Sequence, residues 1–167
     1  MASEELRIAP LSDGDIDAVI GLAGVIWRQH YPGIISTEQI DYMLAQRYTP
    51  ALIRAQMQSG SAWWEQALVG SRMIGFAQYE LYGRSMKLDK LYLHLDFQHR
   101  GYGARMLAHI EDVARRRGLG AVRLNVNKQN LKAITAYRRS GYETVESVVA
   151  DIGGGYVMDD YVMEKKL

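Results

Sequence analysis

The sequence predicts a mixed α/β fold: one central sheet, mostly antiparallel and of about seven strands, with helices on both faces. Three observations predict it. Apolar residues recur at helical spacing through the first third. A strand-like period takes over across residues 61–95. Strand and helix signals then alternate, with a crossover through the glycine-containing stretch "QHRGYG".

Each element has its own warrant. Leu6 to Ala9 reads as a first strand. Ser12-Asp13 caps a helix carrying Ile16, Val19, Ile20 and Ala23 on one face. "YPGII" is a turn. Ser36 with Gln39 forms a capping box ahead of Ile40, Met43 and Leu44. Thr49-Pro50 is a cap followed by proline at the first helical position, and Gly60 is a stop. "SAWWEQALVG", "RMIGFAQYELYG" and "MKLDKLYLHL" are three strands joined by short turns, an antiparallel meander. Met106, Leu107, Ile110, Val113 and Ala114 mark an amphipathic helix ended by Gly118 and Gly120. "AVRLNVN" is a compact strand. "NLKAITAYRRSGY" is a helix capped by Asn127 or Asn130 and closed by Gly141. "ETVESVVA" and "YVMDDYVMEKKL" are terminal strands around "DIGGG". No repeat, low-complexity tract or linker interrupts residues 5–167, so the expectation is a single domain.

Composition narrows the function. A net charge of +1 gives no drive toward nucleic acid or an anionic membrane. The absence of cysteine removes disulfides, thiolate metal sites and a Cys nucleophile, and fits a cytoplasmic protein. The acidic N-terminus is no signal peptide, no apolar run is long enough to span a bilayer, and the four histidines show no paired ligand spacing. The expectation is therefore no metal and no membrane partner.

"QHRGYG" places two glycines where a strand hands over to a helix. The first N–H groups of a helix lack partners and sit at the positive end of its dipole, and glycine lets an anion approach them. A dinucleotide fingerprint needs a third glycine where Met106 stands, and no P-loop string occurs. The stretch does fit R/Q-x-x-G-x-G/A. Together with "LDKLYLHLDFQHRGYGARML", "NVNKQNLKAITAYRRSGYE" and "DDYVMEKKL", in that order, it resembles the GCN5-related N-acetyltransferase (GNAT) family over nearly the whole chain.

That resemblance implies the GNAT fold, with two parallel strands splayed apart at the cofactor site. It implies acetyl-CoA as co-substrate and direct transfer of an acetyl group to a primary amine. The backbone of Leu91, Tyr92 and Leu93 would pair with the cofactor's pantetheine. The pyrophosphate would sit on N–H groups of His99, Arg100, Gly101, Tyr102, Gly103 and Ala104, with Gln98, Arg100 and Asn130 adding side-chain contacts. Lys128, Lys132, Arg138 and Arg139 stand near the nucleotide end. Tyr137 would protonate the leaving thiolate, and the Leu93 N–H would donate to the carbonyl oxygen.

The proton on the amine is a separate problem. Removing it from a free alkylamine at pH 7 costs roughly 4 to 5 kcal/mol. The family's glutamate position falls on Lys87, so the substitutes are Asp89 and Glu80, or a water relay. Glu80 shares strand parity with Ile74, Phe76 and Gln78 and is expected to face inward. For the acceptor, Trp27, Tyr31, Tyr82, Tyr92 and Asp159-Asp160 combine aromatic faces with carboxylates, which suits a cation. "WRQHYPGIISTEQIDYMLAQRY" resembles a subgroup that includes polyamine acetyltransferases. The acceptor is thus a small-molecule amine or a peptide. A homodimer would use the last strands, and the competing function is a non-catalytic acyl-CoA-binding module.

Overall fold

A computed structural model of the chain describes residues 5–167. It contains β1 (Leu6–Pro10), α1 (Ile16–His30), α2 (Thr37–Arg47), α3 (Pro50–Gln58), β2 (Ala62–Val69), β3 (Arg72–Tyr82), β4 (Ser85–Leu93), α4 (Tyr102–Arg116), β5 (Ala121–Asn127), α5 (Leu131–Arg139), β6 (Glu143–Gly153) and β7 (Tyr156–Lys166). Among the described residues, no helix is long and apolar enough to cross a membrane.

Local chemistry sets the helix starts. Ser36 accepts from the Gln39 N–H at 3.1 Å, and Thr49 from the Leu52 N–H at 3.1 Å ahead of Pro50. The capping box at Ser36 is only half formed. The Gln39 amide instead donates to the Val157 carbonyl at 3.1 Å, tying α2 to the β6–β7 hairpin. Tertiary contact has captured a side chain that the local pattern assigns to the cap.

The seven strands form one sheet in the order β1-β2-β3-β4-β5-β7-β6. Every neighbouring pair is antiparallel except β4 and β5, which run parallel because α4 crosses over between them. Two cores follow, one on each face. Met106, Leu107 and Ile110 of α4 and Ile134 of α5 pack with Met86, Leu88, Leu124 and Met163. On the other face Val19, Ala23, Ile40, Met43 and Ile53 of α1–α3 pack with Trp64 and Phe76. Polar anchors fix α4: His109 meets Glu65 of β2 at 3.0 Å, and Glu111 accepts from Tyr142 and Lys165, each at 2.9 Å.

Two bulges alter which side chains share a face. Ala67 pairs with Gly75 but Leu68 with Met73, so Ile74 is extra in β3 and joins the α4 face while Phe76 joins the other. Gln78 pairs with Lys90 but Tyr79 with Leu88, so Asp89 is extra in β4. The sequence parity linking Glu80 to Ile74 therefore breaks, because a period of two does not count a bulge.

Gly75 marks the tightest approach of β3 to β4. A Cβ there would lie 2.5 Å from the Tyr92 carbonyl oxygen and 2.8 Å from a Leu93 methyl. Gly75→Ala is expected to destabilise the fold by roughly 2 to 3 kcal/mol. A urea titration checks this; an unchanged midpoint would mean that β4 yields freely.

Candidate active site

The ladder between β4 and β5 stops early. It joins Ser85–Leu88 to Ala121–Leu124 and then ends, although β4 runs to Leu93 and β5 to Asn127. From Asp89 on, β4 stays with β3 while β5 stays with β7, so the two parallel strands part. The His94 N–H reaches Ile74 at 2.7 Å, which directs His94 and, two residues back, Tyr92 toward β3. Leu91 and Leu93 therefore turn their backbone groups into the gap. The Leu93 carbonyl accepts from the Gln98 amide at 3.2 Å. The N–H groups of Leu91 and Leu93 have no partner among the described residues. Tyr92, expected to pair through its backbone, has spent that backbone on β3.

The strand ends in a turn shaped like an anion nest. His99 has φ 63° and Gly101 φ 81°, both left-handed, on either side of Arg100. The first amide with an acceptor is that of Arg105, bonded to the Gly101 carbonyl at 3.1 Å. Among the described residues, the N–H groups of His99, Arg100, Gly101, Gly103 and Ala104 have none. Packing does not demand either glycine. A Cβ on Gly101 would have nothing within 4 Å, and one on Gly103 would touch only a Leu93 methyl at 3.5 Å. Gly101 is needed for its φ, and Gly103 leaves the helix start bare beside Leu93. The guanidinium of Arg100 lies over the Phe97 ring, 5.2 Å from its centroid.

A cleft of about 440 Å³ opens at this end of the gap. Leu93 and Gln98 line one side, Asn130 and Lys132 the other, and Ile26 and His30 of α1 roof it. Gln98 bridges the two sides, since its amide oxygen accepts from Lys132 at 3.0 Å. Asn130 is buried and caps α5, with its side-chain oxygen 3.4 Å from the Ala133 N–H. His30, not singled out by the sequence, is held below the ordinary histidine pKa by burial, against a hydrogen bond that Asn130 accepts from the ring. Its ring is neutral at pH 7. The bare nest, the open strand edges and the cleft fit acetyl-CoA: pyrophosphate at the turn and an extended arm along Leu91 and Leu93.

Tyr137 of α5 packs edge-on against Tyr142, with ring centroids 5.8 Å apart, and its hydroxyl has no partner among the described residues. Burial, and then Tyr31, push its pKa well above the usual tyrosine value. Tyr31, just past the end of α1, and Tyr137 on α5 pack on opposite faces of the sheet. Their hydroxyls are still close enough to couple electrostatically across it. Tyr31 and Tyr92 join hydroxyls at 2.9 Å on the α1–α3 face. Trp27 stands behind them, 2% exposed, with its indole N–H given to the Tyr48 hydroxyl at 3.2 Å. It supports the wall and does not present a free surface. Tyr82 is 56% exposed at the far end of β3, over Lys87 and Arg123, and the fold keeps it away from the gap.

The carboxylates divide in the same way. Glu80 faces Lys87 in the closed half of β4, before the gap begins. Asp89 sits at the opening but is bound to the buried Lys90 at 2.6 Å. Burial works to raise its pKa, and Lys90, then Arg47 and Lys87, outweigh it, so Asp89 titrates below the usual carboxylate range. Lys90 in turn lies over the rings of Tyr48 and Trp64, 5.4 and 5.3 Å from their centroids. Asp159 pairs with Lys128 at 2.7 Å on the outer side. Asp160 is 7% exposed, opposite Asn127 where β5 has left β4, and its Oδ1 has no hydrogen-bond partner among the described residues. The sequence offered no means of separating these two aspartates, because only the register of β7 does so.

A model of the acetyltransferase (GNAT) family matches residues 17–142. A spermidine N(1)-acetyltransferase of Thermoplasma acidophilum is 26% identical over 165 residues, which span 96% of this chain and 97% of that one. The solved structure of a PaiA N-acetyltransferase from Thermoplasma acidophilum, in complex with coenzyme A, aligns with a TM-score of 0.83 at 27% identity, covering 98% of this chain and 99% of its own. A GCN5-related N-acetyltransferase structure from Rhodopseudomonas palustris has the same fold, with a TM-score of 0.81 at 23% identity over 100% and 99% of the two chains.

The Asp89–Lys90 pair makes a checkable demand. Asp89→Asn leaves a buried ammonium without its counter-charge and is expected to cost roughly 3 kcal/mol at neutral pH. Because folding depresses the Asp89 pKa, its contribution is present above the ordinary carboxylate pKa and fades as pH falls through the depressed one. Urea midpoints of the two proteins should therefore differ at pH 7 and converge only as pH falls well below the ordinary carboxylate pKa of about 3.9.

Proposed function

The chain belongs to the acetyltransferase (GNAT) family, and from that premise we propose that this acetyl-CoA-dependent N-acetyltransferase acts on the primary amine of a small, polyamine-like molecule. The observation that carries the reading is the gap itself. Two parallel strands part beside a bare helix N-terminus and an unpartnered tyrosine hydroxyl. The unused Tyr137 hydroxyl favours chemistry over a module that only binds acyl-CoA.

Bound acetyl-CoA supplies an activated thioester whose sulfur leaves as a thiolate. The chain's own part is to hold it and to manage protons. N–H groups at His99, Arg100, Gly101, Gly103 and Ala104 bind the pyrophosphate, and the edge of β4 orients the arm through Leu91 and Leu93. Gln98 and Asn130 line its path, while Lys132 reinforces Gln98. Tyr137 keeps its proton at neutral pH and can give it to the departing sulfur. The Leu93 N–H points into the gap, where it can donate to an oxygen that gains negative charge. The Tyr31–Tyr92 pair walls the acceptor side with aromatic faces, which favour a cation. The name of the Thermoplasma acidophilum relative supports the same class of acceptor.

Thiol release from acetyl-CoA across polyamines, amino acids, aminoglycosides and peptides tests the acceptor. Turnover should be fastest with a polyamine, and a clear preference for peptides would reject that choice. Tyr137→Phe should lower kcat about 100-fold while the Kd for acetyl-CoA stays unchanged. Unaltered kcat would remove Tyr137 from the chemistry.

A further inference from the structure

We infer that Asp160 is the carboxylate that receives the acceptor's reacting amine, binding it as an ammonium and taking its proton before transfer. The inference rests on the amine-acetylation reading above and deepens it. Asp160 is more than nine-tenths buried, yet its Oδ1 accepts nothing from the described residues. Buried carboxylate oxygens are ordinarily satisfied, so one left unused points to a donor that arrives from outside. Its position suits that role. Asp160 lies on β7 across from Asn127, where β5 has parted from β4, and shares the α1–α3 face with Met158. Its charge is felt at the Tyr31 hydroxyl, one half of the tyrosine pair that walls the gap.

The charged groups around it do not occupy it. Arg47 at the end of α2 and Lys128 beyond β5 pull on Asp160, and Asp159 on its own strand pushes. Lys128 is committed to Asp159, and Arg47 makes no ion pair or hydrogen bond among the described residues. Asp89 and Glu80, the carboxylates suggested by sequence, each sit beside a lysine. Burial opposes the ionisation of Asp160 and raises its pKa, which narrows the difference in proton affinity from an amine.

The exchange balances. The ammonium releases one proton to Oδ1 and keeps the electron pair. That pair forms the C–N bond to the acetyl carbon as the C–S bond breaks. Sulfur takes the Tyr137 proton, the acylated nitrogen sheds its second proton to water to leave a neutral amide, and both side chains return to their starting states by exchange with water.

The test is calorimetric titration of spermidine into coenzyme A-loaded protein, wild type and Asp160→Asn, with thermal melts of both. Because folding raises the Asp160 pKa, its ionised form burdens the folded state at neutral pH, so the variant should melt at or above the wild-type temperature. It should still be stabilised by acetyl-CoA, bind spermidine at least about tenfold more weakly and lose the acid limb of kcat/KM against pH. Equal spermidine binding, or a lower melting point, would overturn the inference. Wild type that binds no spermidine would overturn it too, while thiol release with other amines would leave amine acetylation standing. Wild type that binds spermidine but releases no thiol with any amine would overturn the proton-transfer role.

Discussion

The site depends on a strand pairing that stops after four residues. Parallel β4 and β5 are the centre of the sheet, where a continuous ladder would be most stabilising, yet they stay joined only through Leu88 and Leu124. Each strand is held by its other neighbour, β4 by β3 and β5 by β7. The extra residue at Asp89 bends β4 at the point of separation. Backbone groups left open inside a sheet are costly unless something fills them. Here they run up to the glycine turn, so one geometric event opens the strand edge beside the uncapped helix start.

The rest of the molecule reads as support for that opening. Cores on both faces keep the halves of the sheet in place. Glu65 and Glu111 pin α4, and with it the bare N-terminus, through His109, Tyr142 and Lys165. On the α1–α3 face the buried polar groups are less complete. Among the described residues the Gln78 amide and the Asp160 Oδ1 lack partners, and Lys90 is buried with its charge balanced by a single carboxylate. Incomplete satisfaction concentrated beside one gap is the pattern expected where stability yields to function.

Much of this was legible in the chain. Gly101 and Gly103 stood out because a helix start favours a capping side chain, and the structure shows that packing requires neither. Tyr137 entered only through the family resemblance carried by "NLKAITAYRRSGY", and the strand–helix–strand crossover came from the change of period. What escaped was set by contacts between distant segments. A bulge at Asp89 decides that Leu91 and Leu93, not Tyr92, face the gap. Trp27 has helical spacing compatible with a pocket or a core, and only the Tyr48 hydroxyl settles its indole. Tyr82 shares the aromatic character of Tyr31 but sits at the closed end of a long strand. Asp159 and Asp160 are adjacent in sequence, and pairing with β5 sends them to opposite faces.

The central claim is that acetyl-CoA completes the sheet between β4 and β5. Amide hydrogen exchange, followed residue by residue with and without the cofactor, addresses it directly. On binding, the amides of Leu91 and Leu93 and those of His99, Arg100, Gly101, Gly103 and Ala104 should slow together, while Tyr92, already bonded to β3, changes little. Protection confined to the glycine turn, with Leu91 and Leu93 exchanging as before, would contradict the account.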